Sequence, residues 1–197
     1  MNLIYQHEPP VSREEKEKIL KQRARVIWMT GLSGSGKTTL GLALERELFR
    51  LGFLVQLLDG DLVRKGINSN LAFSVEDRVE NIRRIAEISK LFLQSGIITI
   101  NCFISPTLEI RSMARNIIGT DDFIEVYLNA SLEICEKRDS KGLYARARRG
   151  EIREFTGIDS PFEPPVNPEL ELNTGELSIE ETLGQMLRFV LPKIKTT

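Results

Sequence analysis

The sequence predicts a three-layer α/β fold with a central parallel sheet, and three observations lead to this prediction. Short apolar runs of strand length alternate with longer segments whose apolar residues recur at helical spacing. A glycine-rich loop joins the first predicted strand to the helix that follows it. The 197 residues, of which 41% are hydrophobic, suffice for one well-buried core and are few for two. We therefore expect one domain whose strands are joined by right-handed crossovers.

Charge and cysteine usage exclude several classes of protein. The 27 basic and 28 acidic residues give a net charge of −1, so the balance does not favour binding to nucleic acid or to an anionic membrane. Cys102 and Cys135 have no metal-ligand spacing and are expected to be reduced core thiols. The N-terminus lacks a basic start followed by an apolar run, and no apolar stretch approaches a membrane span. We expect a cytoplasmic protein.

The first 24 residues predict an arm that precedes the domain proper. Residues 1–11 contain two consecutive prolines and predict an irregular segment. Ser12 and Glu15 then form a capping-box pair, which predicts a charged helix to about Arg23. No residue of this arm is indicated as catalytic. The domain proper is expected over residues 25–197.

The next segment contains the strongest signal in the chain. The apolar run 26–29 predicts a buried strand, and the spacing of apolar residues over 39–49 predicts a helix. Between them, residues 31–38 read GLSGSGKT, which fits the phosphate-loop pattern of two glycines, a lysine and a hydroxyl residue. The flanking strand and helix are the context that this motif requires, and they argue against a chance match. The segment predicts a P-loop NTPase-type fold.

Each residue type in the loop has a part in binding a nucleoside triphosphate. Glycines allow the backbone N–H groups to turn around the phosphates, and the new helix presents its positive end to them. Lys37 is expected to reach the β- and γ-phosphates, and the Thr38 hydroxyl to coordinate their Mg²⁺. The residues predicted to bind ATP are Gly31, Leu32, Ser33, Gly34, Ser35, Gly36, Lys37, Thr38 and Thr39.

Two carboxylates follow the second predicted strand, residues 53–58. Asp59 and Asp61 would lie at the carboxyl end of that strand, where open parallel sheets bind ligands. We expect Asp61 to accept the proton of an acceptor hydroxyl. Asp59 has two interpretations that the sequence leaves open: a metal ligand through water, or the N-cap of a short helix beginning at Leu62.

The remaining elements follow the same alternation. Ser74 with Asp77 predicts the start of a long helix that ends at Gly96. Ser105 and Pro106 have the signature of an N-cap followed by a proline in the first helical position. Further strands are predicted over 97–104, 123–128 and 169–173, and further helices from Ser131 through Arg138 and from Ser178 to about Leu191.

Residues 139–157 have many charged side chains and little apolar surface, which is typical of a mobile lid over a phosphate site. Arg64, Arg78 and Lys141 could converge on an anionic acceptor, although each taken alone also fits a solvated surface residue. Phe73 and Phe155 lie in polar loops, where they could hold a planar ring between them.

Three classes of P-loop protein are compatible with the loop itself. A GTPase switch would show an Asn-Lys-x-Asp segment late in the chain, and the sequence has none. A motor or scaffold would have an aspartate at the end of the strand that supports the metal, where this chain has Ser105 and Pro106. The remaining class is a small-molecule kinase. Its acceptor could be a sugar acid or a nucleoside monophosphate, and a non-catalytic nucleotide-binding module is a more distant alternative.

Further motifs, in order and in register, resemble one known family. They are LDGDLVR at 58–64, FSVEDRVENIRR at 73–84, FISP at 103–106, KGLY at 141–144 and FTGID at 155–159. Together with the phosphate loop they resemble adenylylsulfate kinase (APS kinase) over about residues 2–190. This family transfers the γ-phosphate of MgATP to the 3′-hydroxyl of adenosine 5′-phosphosulfate, which gives 3′-phosphoadenosine 5′-phosphosulfate.

The resemblance implies roles for individual residues. Arg138 would lie against the ATP base, and Lys141 and Leu143 would close from the lid. Ser105 matches a serine that the family describes as a phosphoserine intermediate, whereas direct in-line transfer needs no covalent intermediate. The residues implied to bind the acceptor are Asp61, Arg64, Phe73, Arg78, Asn81, Ile104, Lys141, Leu143 and Phe155, with the two aromatic rings stacking on its adenine.

The resemblance also implies a homodimer and suggests a functional link to ATP sulfurylase. Two positions depart from the family pattern: Leu62 stands where asparagine is common, and Lys65 where histidine is frequent. Both flank Asp61, so we expect them to alter acceptor affinity without removing the chemistry.

Overall fold

The computed structural model describes residues 10–196, in which five parallel strands form one sheet in the order β2-β3-β1-β4-β5. Most of the predicted irregular arm, residues 1–9, lies outside the described residues. The strands are β1 Val26–Thr30, β2 Val55–Asp59, β3 Ile98–Cys102, β4 Phe123–Asn129 and β5 Leu170–Asn173. The helices are α1 Arg13–Leu20, α2 Lys37–Arg50, α3 Gly60–Val63, α4 Val75–Gln94, α5 Leu108–Ile118, α6 Leu132–Lys137, α7 Leu143–Arg148 and α8 Ile179–Ile194.

The core lies on both faces of the sheet, because successive side chains of a strand point to opposite faces. Ile27 and Met29 of β1 pack with α2 and α8 on one face. Val26 and Trp28 pack with α4 and α5 on the other. All four are fully buried, and each large apolar side chain so buried contributes about 1.5–3 kcal/mol to stability. The prediction of a three-layer α/β fold with a central parallel sheet is confirmed.

Serine side chains begin four of the helices where the sequence predicts it. Ser12, Ser74, Ser131 and Ser178 each accept a hydrogen bond from the backbone N–H three residues later. Such an N-cap satisfies one of the N–H groups that a helix leaves unpaired at its start. The predicted starts of α1, α4, α6 and α8 are therefore confirmed.

The predicted start of α5 at Ser105 is wrong. The N-cap is Thr107, whose hydroxyl accepts from the N–H of Ile110. Ser105 lies before the helix with a left-handed backbone (φ 38), and its hydroxyl accepts from the indole N–H of Trp28 instead. The Ser105 hydroxyl, which would cap the helix, is instead hydrogen-bonded to a side chain 77 residues away in the sequence. Similarly, α3 begins at Gly60 rather than Leu62, with Asp59 as its N-cap.

No helix within residues 10–196 is both long enough and apolar enough to cross a membrane. The two cysteines of the chain, Cys102 and Cys135, are buried and unpaired, as predicted. The thiol of Cys102 lies under the start of α2, 3.3 Å from the carbonyl oxygen of Lys37, and burial raises its pKa to about 12. It is therefore protonated near neutral pH and packs as a small apolar residue.

Candidate active site

The candidate site lies at the carboxyl edge of the sheet. The phosphate loop joins β1 to α2, and Asp59 is the last residue of β2. Ser105 follows β3, and Thr174 follows β5. Because all strands are parallel, these segments meet at one edge, which is where open α/β sheets bind their ligands.

The conformation of the phosphate loop requires its glycines. Gly34 (φ 77) and Gly36 (φ 97) adopt backbone angles that other residues rarely take. A Cβ atom at Gly34 would also lie 2.9 Å from the carbonyl oxygen of Cys135. Gly36 is the N-cap of α2 and has no side chain to cap it, so the first N–H groups of the helix remain available for a phosphate.

Lys37 is buried, with 9% of its surface exposed. Its Nζ donates to the carbonyl oxygens of Gly31 at 2.8 Å and Leu32 at 2.7 Å. Burial lowers the pKa of this ammonium to about 8. A phosphate would supply the negative charge that the enclosed lysine requires, which fits the predicted role in ATP binding.

Asp59 is the N-cap of a short helix, which is one of the two interpretations that the sequence left open, and its second oxygen contacts the phosphate loop. Its Oδ1 accepts from the N–H of Asp61 at 3.0 Å, so it caps α3. Its Oδ2 accepts from the hydroxyl of Thr38 at 2.7 Å, so the same carboxylate reaches the end of the phosphate loop. A hydroxyl and a carboxylate side by side are hard oxygen ligands, and they fit Mg²⁺ held directly or through water.

Asp61 lies in the first turn of α3 and contacts the segment 139–157, which the sequence predicts to be a lid. Its side chain is 60% exposed, and its carboxylate accepts a hydrogen bond from Nζ of Lys141. This segment forms α7, which the sequence did not predict; its N-cap is Gly142, and the carboxylate of Asp139 accepts from the N–H groups of Leu143 and Ala145. The hydroxyl of Tyr144 donates to the carbonyl oxygen of Ser33, so the lid also contacts the phosphate loop.

Arg78 connects the two segments that contain the predicted aromatic pair. Its Nε donates to the carbonyl oxygen of Phe73 at 2.9 Å. Its Nη1 donates to the hydroxyl of Thr156 at 2.8 Å, and its Nη2 donates to the carbonyl oxygen of Glu154. One guanidinium therefore brings the start of α4 to the residues on either side of Phe155.

The two aromatic rings have different surroundings. Phe73 is 61% exposed, and the guanidinium carbon of Arg64 lies 4.3 Å from its ring centroid. Phe155 is half-buried and meets the ring of Tyr144 edge-on, with centroids 5.0 Å apart. Phe155 therefore contributes to a small cluster beneath the lid, and only Phe73 presents most of its ring to solvent.

The other predicted acceptor and nucleotide residues occupy separate positions around this cleft. Asn81 is buried on α4, where its Oδ1 accepts from Nδ2 of Asn68. Arg138 is the C-cap of α6 and donates to the carbonyl oxygen of Thr174. The carbonyl oxygen of Ile104 accepts from the hydroxyl of Thr30.

The hydroxyl of Ser105 faces the protein interior. The residue is 2% exposed, and its Oγ accepts from Nε1 of Trp28 at 3.0 Å. Its carbonyl oxygen accepts from Nη1 of Arg111 at 2.8 Å. The hydroxyl and the carbonyl oxygen of this residue, whose backbone is left-handed, are thus both bonded to side chains of other elements.

A family model described as adenylylsulphate kinase matches residues 23–173 of this chain. A relative from Bacteroides thetaiotaomicron named adenylyl-sulfate kinase is 62% identical over 185 residues, which are 94% of this chain and 92% of the relative. The chain belongs to the adenylylsulfate kinase family. It is therefore an ATP-dependent kinase whose acceptor is a hydroxyl group, as the sequence predicted.

Solved structures agree with membership of the adenylylsulfate kinase family. An APS kinase of Mycobacterium tuberculosis, determined in complex with AMPPNP and APS, is similar with a TM-score of 0.82 and 43% identity, over 86% of this chain and 98% of that one. A gluconokinase from Sinorhizobium meliloti has a TM-score of 0.58 but only 16% identity, over 87% of this chain and 93% of that one, so it shares the fold alone. The predicted P-loop NTPase-type fold is confirmed.

The structure of this adenylylsulfate kinase family member includes site residues that sequence reasoning missed. Thr174, directly after β5, donates through its hydroxyl to the carbonyl oxygen of Ser35 at 2.8 Å and so supports the phosphate loop. Its place after the last strand was the available signal, since every strand of the sheet ends at the site. Asn68 is a fully buried polar residue in a loop, and no pattern in the sequence marked it.

Proposed function

We propose that the protein is an adenylylsulfate kinase, which transfers the γ-phosphate of MgATP to the 3′-hydroxyl of adenosine 5′-phosphosulfate. The observation that carries the proposal is the double contact of Asp59. This carboxylate accepts from Thr38 of the phosphate loop and from the N–H of Asp61, so the donor loop and the proposed base are two hydrogen bonds apart. Family membership supports the choice of acceptor.

On the donor side, the nucleotide would be bound by backbone N–H groups and by the side chain of Lys37. The N–H groups of the loop and of the first turn of α2 would surround the phosphates, and Lys37 would turn from the carbonyls of Gly31 and Leu32 toward them. Thr38 and Asp59 would hold Mg²⁺, which when bound neutralises charge on the phosphate oxygens. Arg138, beside Thr174, would meet the ATP base.

The acceptor side would hold the substrate between α4 and the lid. Asp61 would take the proton of the 3′-hydroxyl as the bond to phosphorus forms, and the hydrogen bond from Lys141 would hold this carboxylate in position. Arg64 and Arg78 supply positive charge for the phosphosulfate. The remaining proposed contacts are Phe73, Phe155, Asn81, Ile104 and Leu143.

We infer that transfer is direct and that Ser105 is structural. A nucleophile must reach the γ-phosphate, whereas this hydroxyl is 2% exposed and accepts from Trp28. The Ser105→Ala variant should keep turnover within about threefold of wild type, and lose ~1–3 kcal/mol of stability because the indole N–H loses its acceptor. Steady-state kinetics and chemical denaturation measure the two effects. A stoichiometric, acid-stable phosphoserine trapped during turnover would contradict this inference.

The assembly and location of the protein are further proposals. We expect a homodimer in the cytoplasm, with a functional link to ATP sulfurylase. An APS kinase from Thiobacillus denitrificans described as hexameric is similar at 28% identity and a TM-score of 0.65, and this chain covers 32% of it. Assembly of that relative supports self-association here. Light scattering at several concentrations should give twice the 22.4 kDa mass of one chain.

A substrate panel tests the function directly. ADP release from MgATP should occur with adenylylsulfate and should stay at background with AMP and with gluconate. Release with gluconate or AMP instead would favour a kinase of another small acceptor. Background release with all three would favour a nucleotide-binding module without catalysis.

A further inference from the structure

Asn68 is a buried polar residue of the loop between α3 and α4, and it is fully enclosed. Its backbone is held on both sides: its N–H donates to the carbonyl oxygen of Val63, and its carbonyl oxygen accepts from the N–H of Leu71. Burying a polar side chain costs free energy unless it is hydrogen-bonded, so the contacts of this amide determine what it does there.

The side chain of Asn68 bonds to one of the proposed acceptor residues. Its Nδ2 donates to Oδ1 of Asn81 at 2.9 Å, in a buried contact. Within residues 10–196, Nδ2 of Asn81 has no hydrogen-bond partner, and it is not among the enclosed unpaired side-chain atoms. An amide has an acceptor oxygen and a donor NH₂ on opposite sides. With the oxygen directed at Asn68, the NH₂ group of Asn81 is left for a ligand.

A charge determines which way round the Asn68 amide lies. Nη1 of Arg84 is 3.5 Å from Oδ1 of Asn68, and it also donates to Oδ1 of Asn70 and to the carbonyl oxygen of Ile67. A reversed amide would put the NH₂ of Asn68 against this guanidinium. The hydrogen bonds that run from the Arg84 guanidinium to Asn68 and from Asn68 to Asn81 therefore have one favourable direction. They leave the NH₂ group of Asn81 as the donor at the end of the series.

We propose that Asn68 is a positioning residue for the acceptor site, which orients Asn81 so that its NH₂ group faces the oxygens of the acceptor. This rests on the proposed function, in which Asn81 is one of the residues that contact adenylylsulfate. A donor attracts these oxygens, whereas a reversed Asn81 would present its own oxygen to them. Asn68 thus favours an anionic acceptor without touching it.

A double-mutant cycle tests whether Asn68 acts through Asn81. Asn68→Ala should raise KM for adenylylsulfate about tenfold, with kcat and KM for ATP within about twofold, since one buried hydrogen bond is involved. In the Asn81→Ala background, the same substitution should add less than about twofold. Asn70→Ala is the matched control, because Asn70 bonds to the same Arg84 from the same loop but does not contact Asn81; it should leave all three constants unchanged.

Asn68→Asp provides a second readout that is independent of the size of the cavity. The carboxylate can pair with Arg84, as the Asn68 oxygen does in a hydrogen bond, but it has no proton to donate, so Asn81 should turn its NH₂ group inward. KM for adenylylsulfate should then rise more than in Asn68→Ala, by about a further threefold. Asn70→Asp places the same charge beside the same guanidinium and should have less than a twofold effect.

Defined results would overturn the inference. They are full additivity of Asn68→Ala and Asn81→Ala, an equal rise in KM for ATP, or equal effects of Asn68→Asp and Asn70→Asp. If Asn68→Ala does not fold, the Asp pair decides alone, because Arg84 offsets the added charge. A wild-type protein inactive with adenylylsulfate would instead defeat the proposed function, and this is seen before any variant is measured.

Discussion

The donor half and the acceptor half of the site are built in different ways. In the phosphate loop, Ser35 is fully buried and Lys37 is 9% exposed. Across the cleft, the side chains of Asp61 and Lys141 are 60% and 57% exposed, and Phe73 is 61% exposed. Ser35 and Lys37 at the centre of the donor half are thus enclosed by the protein, while Asp61, Lys141 and Phe73 of the acceptor half are open to solvent.

The contacts that hold each half explain this difference. The phosphate loop folds on its own carbonyl oxygens and rests on strand ends, as in the bond from Thr174 to Ser35. The acceptor half depends on long side chains between segments about 80 residues apart, such as Lys141 to Asp61 and Arg78 to Thr156. A ligand can compete for exposed side-chain contacts more easily than for buried backbone ones. We therefore expect substitutions in the two halves to affect different kinetic constants.

Lys37→Ala should have the largest effect and should act through the donor half. Without the ammonium, the charge that develops on the γ-phosphate loses its nearest buried cation, and turnover should fall by about 10³-fold or more. ADP release with saturating adenylylsulfate measures this loss. Near-normal turnover in a folded variant would remove Lys37 from the proposed mechanism.

Asp61→Asn should come next and should leave the donor half intact. An amide cannot accept the proton of the 3′-hydroxyl, so turnover should fall by about 10²-fold or more. Because Asp61 is exposed, the melting temperature and the affinity for ATP should match those of wild type. Turnover within threefold of wild type would show that the base lies elsewhere.

Arg78→Lys should affect the acceptor half alone. A lysine cannot span the three acceptors that the guanidinium reaches, so KM for adenylylsulfate should rise about tenfold while KM for ATP stays within twofold. Arg83→Lys on the same helix is the control, since the ion pairs of Arg83 within residues 10–196 are with Glu80 and Glu87 at the helix surface and the change should be neutral. Equal effects of the two substitutions would contradict the assigned role of Arg78.

The smallest expected effect is a pH dependence of ATP binding, which belongs to the donor half. Burial lowers the pKa of Lys37 from 10.5 to about 8, and bound phosphates favour the charged form. ATP binding should therefore take up a proton above pH 8, and its Kd should rise about fourfold between pH 7 and 8.5. Calorimetry in two buffers with different ionisation enthalpies measures this uptake; equal heats at pH 8.5 would exclude it.

Lys37 also makes the free energy of unfolding depend on pH, and the sign of this dependence follows from its pKa. The unfolded chain keeps the proton of Lys37 up to about pH 10.5, whereas the folded chain releases it near pH 8. Because the unfolded state binds more protons in this window, the contribution of Lys37 makes the free energy of unfolding rise with pH from about 8 to about 10.5.

Features that depend on neighbouring residues were predicted from the sequence. The phosphate loop is a local pattern, since its glycines, lysine and threonine act within eight residues and between a strand and a helix. The serine caps of α4 and α8 are local for the same reason. The layered parallel sheet followed from the alternation of apolar runs. The lid, by contrast, was predicted from its charge, and its short helix α7 was missed.

Only the tertiary structure decided which partner each polar side chain takes. Ser105 has the local sequence of an N-cap, yet its hydroxyl bonds to Trp28, 77 residues away. Asp59 serves two elements at once because β2 ends beside the phosphate loop. Asn68 has a role only because α4 brings Asn81 to it. A hydrogen bond depends on distance and direction in space, and a local pattern predicts neither for residues that lie far apart in the chain.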